Sequence, residues 1–126
     1  MPLGNQSFVR LASCQPELRR FVEVIAQGID SGDLAPLVTD ISVLCGYRDK
    51  KEQDEAFKNG ASKLQWPKSK HNVLPSMAVD LAPFPIDWGD MKRFEALRTY
   101  ALGVARGMGI KIRVISWDWP HYELLV

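Results

Sequence analysis

Two residue types that proteins use for chemistry are scarce in this chain: it has two cysteines, Cys14 and Cys45, and two histidines, His71 and His121. Two cysteines cannot make the disulfide framework of a small secreted domain, and free thiols fit a reducing, cytoplasmic setting. Long apolar runs are missing as well. Nothing approaches the roughly 20 apolar residues of a membrane span. The opening "MPLGNQSFVRLASC" lacks a basic stretch followed by an apolar one, so no signal peptide is expected. Charge of one sign is absent too. With 16 basic against 15 acidic residues the net charge is +1, which argues against nucleic acid as a partner, because phosphate recognition needs a concentrated basic surface. The short "RR" at 19–20 and "KSK" at 68–70 read as solvated faces. Repeats and low-complexity tracts are also lacking. What remains, 126 residues of which 46% are hydrophobic and 25% charged, describes an ordinary globular chain able to bury one core, so a single domain over 1–126 is expected.

The apolar pattern predicts the elements. Leu18, Phe21, Val22 and Ile25 recur at helical spacing, and Pro16 sits where a first turn tolerates it, which gives a helix over 15–27. Gly28, Gly32 and Pro36 then break the pattern. "TDISVLC" at 39–45 is β-branched and apolar and reads as a strand. "DKKEQDEAFKN" is polar and helix-prone, with Gly60 placed to end it. A loop over 61–75 leads into a short strand in "SMAVDLAPF". Asp87 or Asp90 can cap a long helix over 90–107, with Met91, Phe94, Leu97, Ala101 and Val104 near one face. "IKIRVISW" alternates as strands do, and "HYELLV" follows as a last strand after a proline-containing turn. Helices interleaved with strands in this order predict an α+β fold, an antiparallel sheet covered by helices.

The scarcity of histidine makes its placement informative. Both histidines lie beside predicted strands, and Asp80 lies inside one, among Ala78, Val79, Leu81 and Ala82. A carboxylate there is costly to bury unless it is paired or bound to a cation. A catalytic zinc ion takes three protein ligands from His, Asp, Glu and Cys and keeps a position open for water. His71, Asp80 and His121 supply such a set. Spacing alone leaves the plainer alternative open, in which the histidines are surface or hydrogen-bonded core residues and Asp80 faces solvent.

Four short segments together carry a family resemblance. Ser69-Lys70-His71, then Ala78-Val79-Asp80, then Asp118-Trp119-Pro120-His121 with Glu123, preceded by "GYRDKKEQ", resemble the zinc D-Ala-D-Ala carboxypeptidase superfamily. The resemblance is closest to its phage endolysin branch, the L-alanyl-D-glutamate endopeptidases, and runs from about Pro16 to Val126. It implies a Hedgehog/D-Ala-D-Ala-peptidase-like fold with a single Zn2+ held by His71, Asp80 and His121. It implies Asp118 as the catalytic carboxylate and Arg48 as the arginine that binds the substrate's carbonyl or carboxylate. Ser69, Glu123 and Gln53 would support the substrate or the ligand side chains from behind. Two segments depart from the family pattern. "NVLPSM" replaces a shorter, glycine-containing link between His71 and Asp80, and "VISWDW" replaces a longer Gly-Gly-Asp-Trp loop, changes that bear on the shape of the groove.

The implied chemistry suits these residues. Hydrolysis of a peptide bond needs an activated water, a polarised carbonyl and a proton for the leaving amine, tasks that a metal and a nearby carboxylate divide between them. The expected partner is the stem peptide of bacterial peptidoglycan. As a phage lysis enzyme the protein would stay in the host cytoplasm, as a monomer, until a holin released it to the wall. A D,D- or L,D-carboxypeptidase of the same family is the alternative activity. A catalytically inactive wall-binding zinc domain is the alternative class, which has no need of Asp118. The four tryptophans are expected in the core or on groove walls, with Trp117 and Trp119 flanking Asp118.

Overall fold

The computed structural model describes residues 3–125; Met1, Pro2 and Val126 lie outside it, so the last residue of the expected "HYELLV" strand does too. Four helices, α1 (Asn5–Ala12), α2 (Pro16–Asp30), α3 (Lys50–Lys58) and α4 (Met91–Met108), accompany four strands, β1 (Ile41–Cys45), β2 (Ala78–Pro83), β3 (Ile112–Ile115) and β4 (Asp118–Leu124). The strands form one antiparallel sheet in the order β1-β2-β4-β3. This is the expected α+β architecture. Among the described residues no helix is long and apolar enough to cross a membrane.

Local chemistry explains each element. The Gln15 side chain accepts from the backbone N–H groups of Glu17 and Leu18, Pro16 follows at the first helical position, and α2 runs three residues past its expected end, through Ile29 to Asp30. Asp49 and Glu52 close a capping box at the start of α3. Of the two candidates, Asp90 caps α4, and Gly109 ends it in the left-handed conformation at φ +71°.

The core lies between the helices and one face of the sheet. Leu18, Phe21, Val22 and Ile25 of α2 are fully buried and meet Val43, Val79, Leu81 and Tyr122 from the strands. Phe21 packs against Tyr122 with ring centroids 6.0 Å apart. Burying each such side chain contributes about 1.5 to 3 kcal/mol.

Several expectations change. The N-terminal segment is a helix, α1, which periodicity did not reveal. Its Ser7 hydroxyl accepts from the Val43 N–H at 2.9 Å and its Arg10 guanidinium donates to the Val43 carbonyl at 3.1 Å. These side chains satisfy the free edge of β1, a position otherwise open to pairing with another chain. The last turn falls at residues 116–117, and β4 begins at Asp118, so Pro120 lies inside the strand. Asp118 therefore sits at a strand start, and His71 lies in a 3-10 turn (Lys70–Asn72) within the expected loop. On α4, Met91 is exposed and Arg98, not counted on the apolar face, is buried. None of the four tryptophans is among the buried residues.

Candidate active site

The site forms where β2 and β4 pair. In their register Asp80 stands opposite His121 and Ala78 opposite Glu123, while Val79 and Tyr122 point the other way, into the core. The period of two puts Asp80, His121 and Glu123 on one face. His71 arrives from the 3-10 turn. Ser69 caps that turn, its hydroxyl accepting from the His71 N–H at 3.1 Å, and Asn72 returns a bond to the Ser69 N–H.

The two imidazoles converge on one oxygen. His71 Nε2 lies 3.1 Å and His121 Nδ1 3.3 Å from Asp80 Oδ1. The far nitrogen of each ring is occupied. His71 Nδ1 donates to the Gly46 carbonyl at 2.7 Å, and His121 Nε2 donates to the Glu123 carboxylate at 2.8 Å. Each ring is thus fixed in tautomer and orientation, with its remaining nitrogen turned inward. Gly46 can serve because it has no side chain. A Cβ there would collide with the Arg10 carbonyl and the Ser13 hydroxyl. Ser76, fully buried, also donates to the Gly46 carbonyl and steadies it.

The charges are strongly coupled. Burial alone would lower the His71 pKa, but the Asp80 carboxylate overrides it and carries the imidazole up to about 10. His121 moves up in the same way, with burial opposed by the bond and charge of Asp80. Burial would raise Asp80, yet the two imidazoles hold it well below the usual carboxylate range. A carboxylate that draws protons onto two buried, oriented imidazoles is a site short of positive charge, and a divalent cation supplies that charge. The donor set fits a metal. Cys45, at the bulge that ends the β1 pairing, adds a sulfur: ligand atoms of Cys45, His71 and Asp80 lie within 4.8 Å of one another. Spacing gave no hint of this thiol.

Arg48 and Gln53 act together. The Arg48 guanidinium donates to Gln53 Oε1 at 2.9 Å and stands 3.8 Å from Asp80 Oδ2. Gln53 is fully buried and donates to the Leu64 carbonyl at 2.6 Å, while Asn72 donates to both the Gln53 side chain and the Arg48 carbonyl. Arg48 is therefore aimed at the groove by a buried amide network. It does not pair with Asp49 or Glu52, which cap α3.

Asp118 lines the same cavity, of about 430 Å³, as His71, Asp80 and His121. Burial and the Asp80 charge push its carboxyl up, against the pull of His121, His71 and Arg48. A carboxyl with a raised pKa is suited to taking up and returning a proton. Arg98, which the helical pattern concealed, holds this residue in place. Its guanidinium donates to the carbonyls of Ile115 and Asp118, at 3.1 and 2.9 Å, and so clamps both ends of the β3–β4 turn.

The matching family is that of the phage L-alanyl-D-glutamate peptidases, over residues 1–123. The chain belongs to this family. The L-alanyl-D-glutamate peptidase of Escherichia phage T5 is 32% identical over 120 residues, which is 92% of this chain and 80% of that one. The crystal structure of the Serratia marcescens L-Ala D-Glu endopeptidase ChiX shares the fold. Its TM-score is 0.74 at 24% identity, over 96% of this chain and 87% of that one. In this family member His71, Asp80, His121, Arg48, Asp118, Ser69 and Glu123 all line one groove, and Gln53 lies behind Arg48.

Proposed function

We propose that this protein is a zinc-dependent endopeptidase of bacterial peptidoglycan that hydrolyses the amide bond between L-alanine and D-glutamate of the stem peptide. Membership of the phage L-alanyl-D-glutamate peptidase family supports the substrate. The observation that carries the zinc reading is the convergence of His71 Nε2 and His121 Nδ1 on Asp80 Oδ1, with both far nitrogens committed elsewhere. When bound, zinc supplies a Lewis acid and lowers the pKa of a coordinated water toward about 7.

The chain's own residues account for the rest. Asp118, with its raised pKa, takes the proton that the attacking water gives up as its oxygen bonds to the carbonyl carbon. It returns that proton to the D-glutamate nitrogen as the C–N bond breaks, so the protons balance within one turnover. Arg48, steadied by Gln53, presents donors to the carbonyl oxygen or to a neighbouring carboxylate of the substrate. Two cavities share Asp80 and Asp118 at their common edge, leaving room for substrate beyond the centre in each. That favours cleavage within a chain over removal of a terminal residue, which requires one closed end. The phage origin of the T5 relative supports a role in host lysis; release to the wall through a holin pore belongs to the same proposal.

Mass spectrometry of peptidoglycan digested by the protein, with zinc and with chelator, tests this reading. The expected products are lactyl-L-alanine glycan and peptides with a new D-glutamate N-terminus, lost under chelation. Cleavage at another bond, or digestion that chelator leaves intact, overturns it. Zinc content of the variants separates the two donor sets. His121→Ala loses the metal and Cys45→Ser retains it; the reverse assigns Cys45 in place of His121.

A further inference from the structure

The groove has two chemically different halves that meet at Arg48, Asp80, Trp117 and Asp118. On one side the walls carry Lys63, Lys68, Lys70 and Arg113. On the other side lies a cavity of about 350 Å³ whose walls are Trp88, Trp117, Trp119, Met91, Phe94 and Pro120 among others, with charge only at the shared edge.

The aromatic half is not a leftover of the core. Trp88 and Trp117 are 60% and 51% exposed, although burying such a ring contributes several times the about 0.8 kcal/mol of a single methylene. Each indole is nonetheless held. Trp88 stacks on Phe94 with centroids 5.5 Å apart and planes 14° from parallel. Arg98 lies 4.1 Å from the Trp119 centroid, and the Lys63 ammonium lies 4.2 Å from that of Trp117. Rings that are exposed, oriented and gathered around one concavity, with polar groups at its edge, make a binding site. The ligand class that such walls suit is a pyranose. Its axial C–H groups form an apolar face that packs on indole, while its hydroxyl rim reaches polar groups.

Resting on the L-alanyl-D-glutamate reading, we propose that this cavity is a saccharide subsite that takes the muramyl ring of the substrate. In peptidoglycan the alanine nitrogen is joined to the lactyl group of that sugar, whereas the D-glutamate side carries free carboxylates. The sugar then lies against the tryptophans and the acidic peptide lies along the lysines, which fixes the direction in which the substrate crosses Asp80.

The test uses exposed Trp88, which has no part in the catalytic machinery, as Trp88→Ala and Trp88→Phe. Hydrolysis of a muramyl-peptide is compared with that of the same peptide without sugar, and binding of the peptide-free N-acetylglucosaminyl-N-acetylmuramic acid disaccharide is followed by isothermal titration calorimetry. The wild type is expected to show a KM about tenfold lower for the muramyl-peptide, about 1.4 kcal/mol of binding. Trp88→Ala removes that advantage and the disaccharide signal, leaves kcat and KM on the free peptide unchanged, and is rescued by Trp88→Phe. Equal KM values for the two substrates in the wild type, or equal losses on both in Trp88→Ala, overturn the subsite while leaving the peptidase reading standing. Disaccharide binding that depends on Trp88, in a protein that cleaves neither substrate, keeps the subsite and overturns the peptidase reading.

Discussion

The two faces of the sheet use the same strands for opposite purposes. On one face Val43, Val79, Leu81 and Tyr122 are sealed against the helices. On the other Asp80, His121 and Glu123 stand one residue away along those strands, in contact with each other and with a groove. The first face gains from excluding water and the second from gathering charge. A slip of one residue in the β2–β4 register would exchange them, putting Asp80 into the core and Val79 into the groove. The register that makes the fold stable is therefore also the register that assembles the site.

This division can be broken from either side. The largest effect is expected on the groove face. Asp118→Asn should lower turnover by about 10² to 10⁴, with thermal stability and zinc content close to wild type. Near-normal turnover in a zinc-loaded, folded variant would remove Asp118 from the mechanism. On the core face the readouts trade places. Phe21→Ala leaves a cavity beneath Tyr122 and should cost about 3 to 5 kcal/mol in denaturant unfolding, while the fraction still folded binds zinc normally. A loss below about 1 kcal/mol would mean that the two faces are not energetically separate.

A smaller change sharpens the comparison. Glu123→Gln keeps an acceptor for His121 Nε2 but removes its charge, so zinc affinity should fall by about tenfold, the lower end of what such supporting partners contribute. Competition with a chromophoric chelator measures it, and unchanged affinity would reduce Glu123 to a spacer. The smallest effect at any one pH is a tilt whose sign depends on the metal. In the metal-free protein His71 is raised from its ordinary 6.5 to about 10. Its contribution to stability is then fully present below about 6.5 and is lost as pH rises toward 10. In the zinc-loaded protein the imidazoles must be neutral, so stability falls as pH drops through about 6. Thermal unfolding from pH 5 to 10, with chelator and with zinc, should therefore give opposite slopes. The same slope in both would mean that the histidines do not hold the metal.

The parts of this molecule that were legible in the sequence are those where one residue's chemistry suffices. The apolar stripe of α2 and the apolar run of β2, broken only by Asp80, follow from burial, and each element is found within a few residues of its expected place. The gathering of His71, Asp80 and His121 was signalled by their motifs. What escaped is structure made by cooperation between distant polar groups. Ser7 and Arg10 belong to no pattern in the sequence, yet together they finish the edge of a strand more than thirty positions away. Arg98 lies outside the apolar set that marks α4, yet it is buried because two backbone carbonyls and the Trp119 ring receive it. Asn72 was adjacent to a marked residue, and the Ser69-x-x-Asn72 spacing of a capping box was a usable signal for it. Of the two places expected for the tryptophans, core or groove wall, Trp88, Trp117 and Trp119 take the second, and which of the two a ring takes depends on neighbours distant in the chain.

One imidazole leans on the main chain and the other on a side chain. A backbone carbonyl survives every substitution, so the acceptor that aims His71 is inherited with the path of the chain itself, guarded by the need for glycine at position 46 and by Ser76 beside it. The aim and basicity of His121 are inherited through a single codon, that of Glu123. Mutation can thus retune one half of the centre in small steps while the other half stays constant. A lineage facing different walls or different metal supplies has in this pair a fixed reference and an adjustable one.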